Sequence, residues 1–416
     1  MIATFEIIFW LCIYAIAFNY IGYPIVLFLM GFLVQAKADI GYLLTRKNRR
    51  HSERFSAHPL IGIVISAFNE ESVIEARIRN LLEIDYPPDR VEILIGLDGP
   101  TDATPEILSR SRSSRVRVFH FPRRRGKLAV ISELARQTEA EILVFSDANT
   151  MFEPGCVANL IRHFADPKVG VVSGEEIRIT KPGADPAAES LYWRYESAMK
   201  ILESRANCLH SANGSVYAIR RELFCPRSHC VVEDFQVPLG LRFRGYRVVY
   251  DPEAIAVEEI APTLASQFER RVRLGAGNFQ TLFGNPWYLS PFKGIPAFAY
   301  WSHRVLRWLT PCLLIIAFGC SACLIGYTTY RCLFLAQCIF YGLALCGYVS
   351  RKWNRSPVLC RIPWHFCSMN IAIVFGFVRY LGGYQSLAWT VTPRGISAEN
   401  ESKANTEQQD RAFTSV

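Results

Sequence analysis

The stretch EILVFSDANT, residues 141–150, runs through four apolar residues, Ile142 to Phe145, and stops in Ser146, Asp147, Ala148 and Asn149. An apolar run of this length reads as a buried central strand. A carboxylate, one small residue and an amide then bring two oxygen-bearing side chains together at its carboxyl end, where open α/β sheets bind their ligands. Oxygen donors suit a hard divalent cation, and through it a diphosphate. An Asp-Asn turn after a core strand uses the same residues, so the rest of the chain has to decide between the two.

Other strand ends repeat the arrangement. Leu60 to Ser66 is a β-branched run that ends in Ala67, Phe68, Asn69, Glu70 and Glu71. Val91 to Leu97 ends in Asp98, Gly99, Pro100, Thr101 and Asp102. A third strand at Val116–Phe119 precedes Gly126-Lys127 and a helix to Gln137. A lysine at a helix start opposes the macrodipole, so an anionic ligand would give it a role.

The elements that must position these residues follow from spacing. A helix over Glu70–Leu82 has Val73, Ile74, Ile78, Leu81 and Leu82 on its apolar face. Thr104 caps a second helix with Pro105 at its first position. Strand and helix alternate, which predicts an α/β fold with a doubly wound parallel sheet. Beyond Asp166 the pattern is mixed: a strand at Val169–Ser173, a helix over Glu189–Glu203, a turn at Asn213-Gly214 into a strand, and a loop or strand ending at Val231–Asp234.

The 416 residues are half hydrophobic, 13% aromatic and 20% charged, with apolar character gathered at both ends. Phe5 to Val34 is long enough to span a bilayer, and too long for a secretory signal. The basic cluster Arg46–Arg54 behind it puts the next segment in the cytoplasm and the N-terminus outside. Two more spans are expected at Leu309–Tyr327 and Cys332–Ser350, with a basic flank at Arg351–Arg355. Trp364–Trp389 is a fourth apolar stretch that either spans, leaving the tail outside, or is re-entrant. Pro286 to Arg307 suits interfacial helices. A net charge of +9 comes in arginine clusters without a recognition-helix or zinc-finger pattern, which points to membrane flanks or phosphate rather than nucleic acid. Thirteen cysteines lie mostly in apolar segments and read as reduced thiols.

Taken together, these motifs resemble the family 2 glycosyltransferases of GT-A fold, the group that includes cellulose, chitin and hyaluronan synthases. The resemblance covers Pro59 to Asn278. It implies that Ala67, Asn69 and Glu70 lie in the loop holding the base or ribose. It places Asp98, similar to the family's Asp-Gly-Ser-x-Asp, and Lys127 at the nucleotide and its phosphates. Asp147 and Asn149 stand where the family has Asp-x-Asp and would hold Mg2+ or Mn2+, an amide replacing the second carboxylate. Val231-Val232-Glu233-Asp234 resembles Thr-Glu-Asp, which makes Asp234 the catalytic base with Glu233 beside it. Gly214 would line the donor sugar and acceptor. Arg270-Arg271-Val272-Arg273-Leu274 stands where synthases have Gln-x-x-Arg-Trp. Leu274 in place of Trp leans toward single addition, and leaves Arg271 and Arg273 as diphosphate ligands.

The expected organisation is a transmembrane helix with basic flank (1–45), a GT-A domain (58–278), interfacial helices (279–307), a transmembrane region (308–390) and a disordered tail (391–416). The expected function is an inverting hexosyl transfer at the cytoplasmic face of the cell membrane. It would run from a nucleotide-sugar, UDP-linked by the family's habit, to a lipid-linked or polysaccharide acceptor, with synthase or export proteins as possible partners. A transporter is disfavoured because only Arg379 and Glu6 are charged inside the spans. A catalytically silent scaffold would have no reason to keep Asp98, Asp147 and Asp234.

Overall fold

The computed structural model describes residues 2–45, 58–111, 113–179, 187–227, 229–259, 264–351 and 357–383. The Arg46–Arg54 cluster, most of the Arg351–Arg355 flank and the tail from 391 therefore lie outside the described residues. Eight strands form one sheet: β1 (Ile61–Ala67), β2 (Val91–Asp98), β3 (Val116–Phe121), β4 (Ile142–Asp147), β5 (Thr150–Phe152), β6 (Val169–Ile179), β7 (Val216–Arg220) and β8 (Arg247–Glu259). Their order is β3-β2-β1-β4-β7-β6-β8-β5.

The first half is the expected parallel sheet. β1 pairs in parallel with β2 and β4, and β2 with β3. Every residue of β1 is buried, because helices cover both faces. Ile61, Ile63 and Ile65 meet Ile74, Ile78 and Leu81 of α3 (Ile74–Leu82) on one side. Val64 and Leu94 meet Val130, Ile131 and Leu134 of α5 (Lys127–Arg136) on the other. α5 lies so close that a Cβ on Gly96 would come within 2.3 Å of Val130.

The second half departs from a parallel sheet. β7 runs antiparallel to β4 and to β6, β8 runs parallel to β6, and β5 pairs antiparallel with β8. Hydrophobic runs report burial but not direction, so this reversal carried no signal in the sequence.

Helix boundaries shift for local reasons. α3 starts at Ile74 rather than Glu70 because Asn69 adopts φ 53° and residues 70–73 form a turn, with the Ile74 N–H on the Glu70 carbonyl at 2.9 Å. At α4 (Thr104–Ser109) Thr104 is the first helical residue and Ala103 the N-cap, and Asp102 just before it accepts the Thr104 N–H on Oδ1 at 3.1 Å. Val231–Asp234 is no strand end: Glu233 and Asp234 open α8 (Glu233–Phe243).

The remaining helices are α1 (Ile2–Ala17), α2 (Tyr23–Thr45), α6 (Cys156–Ile161), α7 (Ala187–Arg205), α9 (Leu264–Gly284), α10 (Ile295–Ala299), α11 (Leu306–Cys323), α12 (Thr328–Arg351) and α13 (Val358–Leu381). Among the described residues, four helical stretches are long and apolar enough to cross a membrane: Ile2–Leu44, Ile295–Cys323, Thr328–Ser350 and Leu359–Leu381. The second of these begins before the spacing expectation of Leu309, since α10 and α11 join through a π-turn at Tyr300–Val305. A second π-turn, Phe18–Gly22, joins α1 to α2. The two irregularities meet, with the buried Asn19 amide donating to the Ser302 carbonyl at 3.2 Å. All thirteen cysteines are free.

Candidate active site

The parallel register brings the strand ends to one edge. Ala67 pairs with Leu97, Ser66 with Asp147, and Asp98 with Phe121. Asn69 binds Thr101 twice: its Nδ2 donates to Oγ1 at 2.9 Å and its Oδ1 accepts the Thr101 N–H at 2.8 Å. Glu70 is buried and its N–H donates to Thr104 Oγ1 at 2.9 Å. The loops after β1 and β2 are therefore knitted into one wall.

Asp98 is fully buried. Its two oxygens accept the N–H groups of Arg125 (2.6 Å) and Gly126 (2.9 Å). Its carboxylate thus holds the loop that delivers Lys127 at the start of α5. Gly99 (φ 65°) allows this loop its approach, since a Cβ there would lie 2.9 Å from the Arg124 nitrogen.

Lys127 is the hub. Its ammonium donates to Asp147 Oδ1 at 2.6 Å and to the Gly214 carbonyl at 3.3 Å, and lies 3.7 Å from Glu233 Oε1. Burial would lower its pKa, but Asp147, Glu233 and Asp234 outweigh that and hold it above the ordinary lysine value. Gly214 is set in place by Asn213, whose Nδ2 donates to the Gly174 carbonyl at 2.6 Å and whose N–H donates to Ser173 Oγ at 2.9 Å. A Cβ on Gly214 would come within 2.8 Å of Asp234 Oδ2. Burial, then the neighbouring Glu233 carboxylate, push Asp234 up to about 7 against the pull of Lys127.

The donor set at β4 fits a hard cation. Asp147 remains 31% exposed, so one of its oxygens can turn outward while Lys127 holds the other. Asn149 gives its NH2 to Glu258 Oε1 at 3.1 Å, which leaves its carbonyl oxygen as the atom offered to a ligand. Glu258, on β8, is a residue that spacing gave no reason to select. Burial pushes it up to about 7, while Arg270 lowers it and Glu176 raises it; its Oε2 is buried without a hydrogen-bond partner.

On α9, Arg270 and Arg273 stand one turn apart. Arg270 lies 3.8 Å from Glu258 Oε2, and the charges of Asp147 and Asp234 act on both arginines. Burial, then Arg270, hold Arg273 below the usual arginine value. The resemblance selects Arg271 and Arg273; Arg270, about 100° round the helix from Arg271, is a further arginine that the phase of α9 sets beside Glu258 and Glu176. Leu274 packs against the cluster of Val232, Phe235 and Phe279. A further missed residue is Arg77, fully buried behind β4, with its guanidinium on Ser146 Oγ at 2.8 Å and over the Phe152 ring at 4.3 Å.

Three comparisons bear on this edge. The profile of the family described as Glycosyl transferase family 2 matches residues 62–224. A poly-beta-1,6-N-acetyl-D-glucosamine synthase of Staphylococcus aureus is 22% identical over 288 residues, 68% of this chain and 69% of that protein. The synthase of the same description from Staphylococcus epidermidis is 21% identical over 373 residues, 80% of this chain and 87% of that one. Among solved structures, a mannosyltransferase from Pyrobaculum calidifontis, in complex with GDP-Man and Mn2+, superposes with a TM-score of 0.64 at 21% identity. It covers 90% of this chain and 99% of its own, and what it shares is the GT-A fold.

Proposed function

Residues 62–224 make this chain a family 2 glycosyltransferase, and from that premise we propose that it is an inverting, metal-assisted enzyme of the cytoplasmic membrane. Its donor is a UDP-linked sugar and its acceptor a lipid-linked or growing polysaccharide, in keeping with relatives named as polysaccharide synthases. The catalytic domain faces the cytoplasm, where nucleotide-sugars are made. The observation that carries the reading is the convergence of Lys127, Asp147, Glu233 and Asp234 at the carboxyl edge of β4, with Asp234 held near neutral pH.

The reaction needs a carboxylate that is ionised yet basic enough to accept a proton. An acceptor hydroxyl gives its proton to Asp234 as its oxygen bonds to the anomeric carbon. The bond from that carbon to the diphosphate breaks, and the nucleoside diphosphate leaves from the opposite face, which inverts configuration. A Mg2+ or Mn2+ ion at Asp147 and Asn149 would supply charge neutralisation for the diphosphate. Arg270 and Arg273 add fixed positive charge along the same edge, and Arg271 joins them if the donor's phosphates extend round α9. Asn69 and Glu70, in the wall after β1, and Ala67 at its base would frame the nucleoside, and Asp98 acts there through the loop it holds. A silent scaffold has no use for Asp147, Glu233 and Asp234 gathered round Lys127 at one strand end.

The test is nucleotide release by the full chain in detergent from UDP-GlcNAc, UDP-glucose, UDP-galactose and GDP-mannose, with Mn2+, Mg2+ or EDTA. Release from a UDP-sugar that EDTA abolishes is the expected result. Release that persists in EDTA contradicts the metal, and preferential release from GDP-mannose contradicts the donor.

A further inference from the structure

A second charged cluster lies where the membrane-length helices meet the sheet domain. Glu203 on α7, His210 in the loop before β7, and His303 in the π-turn before α11 are 0%, 0% and 1% exposed. One ligand-capable atom from each lies within 4.8 Å of the other two.

Their hydrogen bonds set what the atoms can do. His210 Nδ1 is 3.2 Å from the Cys208 carbonyl. A carbonyl only accepts, so that nitrogen carries the proton and Nε2 presents a lone pair. Glu203 Oε1 accepts from the Tyr23 hydroxyl at 2.9 Å and faces His303 Nδ1 at 2.7 Å. His210 Nε2 and Glu203 Oε2 are then both electron-pair donors, both buried, and both without a hydrogen-bond partner. His303 Nε2 is buried without one too, with Glu196 Oε2 3.8 Å away. Leaving such groups unsatisfied costs about 1–3 kcal/mol each. The contact of His303 Nδ1 with Glu203 Oε1 gives nothing to His210 Nε2 or Glu203 Oε2; an electron-pair acceptor between them would.

We propose that Glu203, His210 and His303 bind a Zn2+ ion. Two imidazoles and a carboxylate are a zinc donor set with bonds of about 2.0–2.2 Å and a fourth position for water. At that bond length tetrahedral ligand atoms stand about 3.3–3.6 Å apart, so the cluster reaches the geometry by small side-chain shifts. The Cys208 carbonyl on His210 and the Tyr23 hydroxyl on Glu203 are the outer hydrogen bonds that orient such ligands. Nitrogen donors separate this site from the all-oxygen set at Asp147 and Asn149, which suits Mg2+ or Mn2+. The ion would fasten α2, α7 and the helix leading into α11 to the loop that ends at Gly214, the residue packed against Asp234. The inference stands on these residues alone and does not depend on the donor or acceptor.

Metal content of the full chain, purified in detergent from chelator-free buffers, is the test. Elemental analysis should find one zinc per chain, with Glu203→Gln and His210→Gln reducing it at least about tenfold and His163→Gln leaving it unchanged. X-ray absorption at the zinc edge should show imidazole and oxygen ligands at about 2.0–2.1 Å, and a sulfur shell near 2.3 Å would overturn the ligand set. Wild-type protein that holds less than about one-tenth of a zinc, even after incubation with ZnCl2 and desalting, overturns the site itself, and this reading needs no variant to fold. Zinc kept at the wild-type level in both variants overturns it equally.

Discussion

At the carboxyl edge of β4, Lys127 faces carboxylates across 2.6 and 3.7 Å, and Asp147 is still 31% exposed. At the junction with the membrane-length helices, the side chains of Glu196, Glu203 and His303 are only 6%, 0% and 1% exposed. Arg307 pairs there with Glu196. The edge gathers Asp147, Glu233 and Asp234 around one lysine, so a carboxyl pKa is driven up to about 7 and a cationic ligand is welcome. The junction pairs Glu196 with Arg307, gathers Glu203 with His210 and His303, and seals them all from water. Surplus charge near water marks where chemistry is done, whereas matched charge away from water marks where parts are fastened.

Four substitutions or titrations separate these roles. Asp147→Ala removes the cation's carboxylate and the lysine's closest partner, so metal-stimulated nucleotide release should fall about 10²–10³-fold, the scale of losing one preorganised electrostatic contact. Melting in detergent should hardly change. Glu196→Gln does the opposite. It leaves Arg307 buried without its counter-charge, at a cost of about 3–5 kcal/mol, read as a large drop in the thermal midpoint of the purified chain. Gly214→Ala reaches across the boundary between the regions. Its Cβ would lie 2.8 Å from Asp234 Oδ2, and displacing that carboxylate should cost about 10–100-fold in kcat with UDP binding intact.

The smallest effect is the sharpest in sign. Asp234 must be ionised to accept a proton, so kcat/KM should rise about tenfold per pH unit up to about 7 and then level. Lys127 favours the ionised form, so Lys127→Met should move that limb to higher pH. A limb that stays in place or moves lower would break the coupling assigned to the edge.

The contrast also separates what the sequence makes legible from what it does not. Strands buried on both faces read as unbroken apolar runs, and the chemistry of a parallel sheet collects where those runs stop. Asp98, Asp147 and the Gly126-Lys127 step were visible for that reason. Direction is not written in an apolar run, so the reversal of β7 and β5 was hidden. Glu176 and Glu258 lie inside strands, where spacing rules expect no charge. Arg270 needed the phase of α9, and Asn149's amide contact with Glu258 spans 109 positions. The Glu203–His303 contact spans 100, and no local pattern encodes partners so far apart.

The measurement closest to the central claim is single-turnover transfer by Asp234→Asn beside UDP binding by the same protein. The account predicts UDP affinity within about twofold of wild type and transfer slowed about 10²–10⁴-fold, the range for losing a general base. Transfer at the wild-type rate, with the acid limb of the pH profile unmoved, would contradict the assignment of Asp234 as the base.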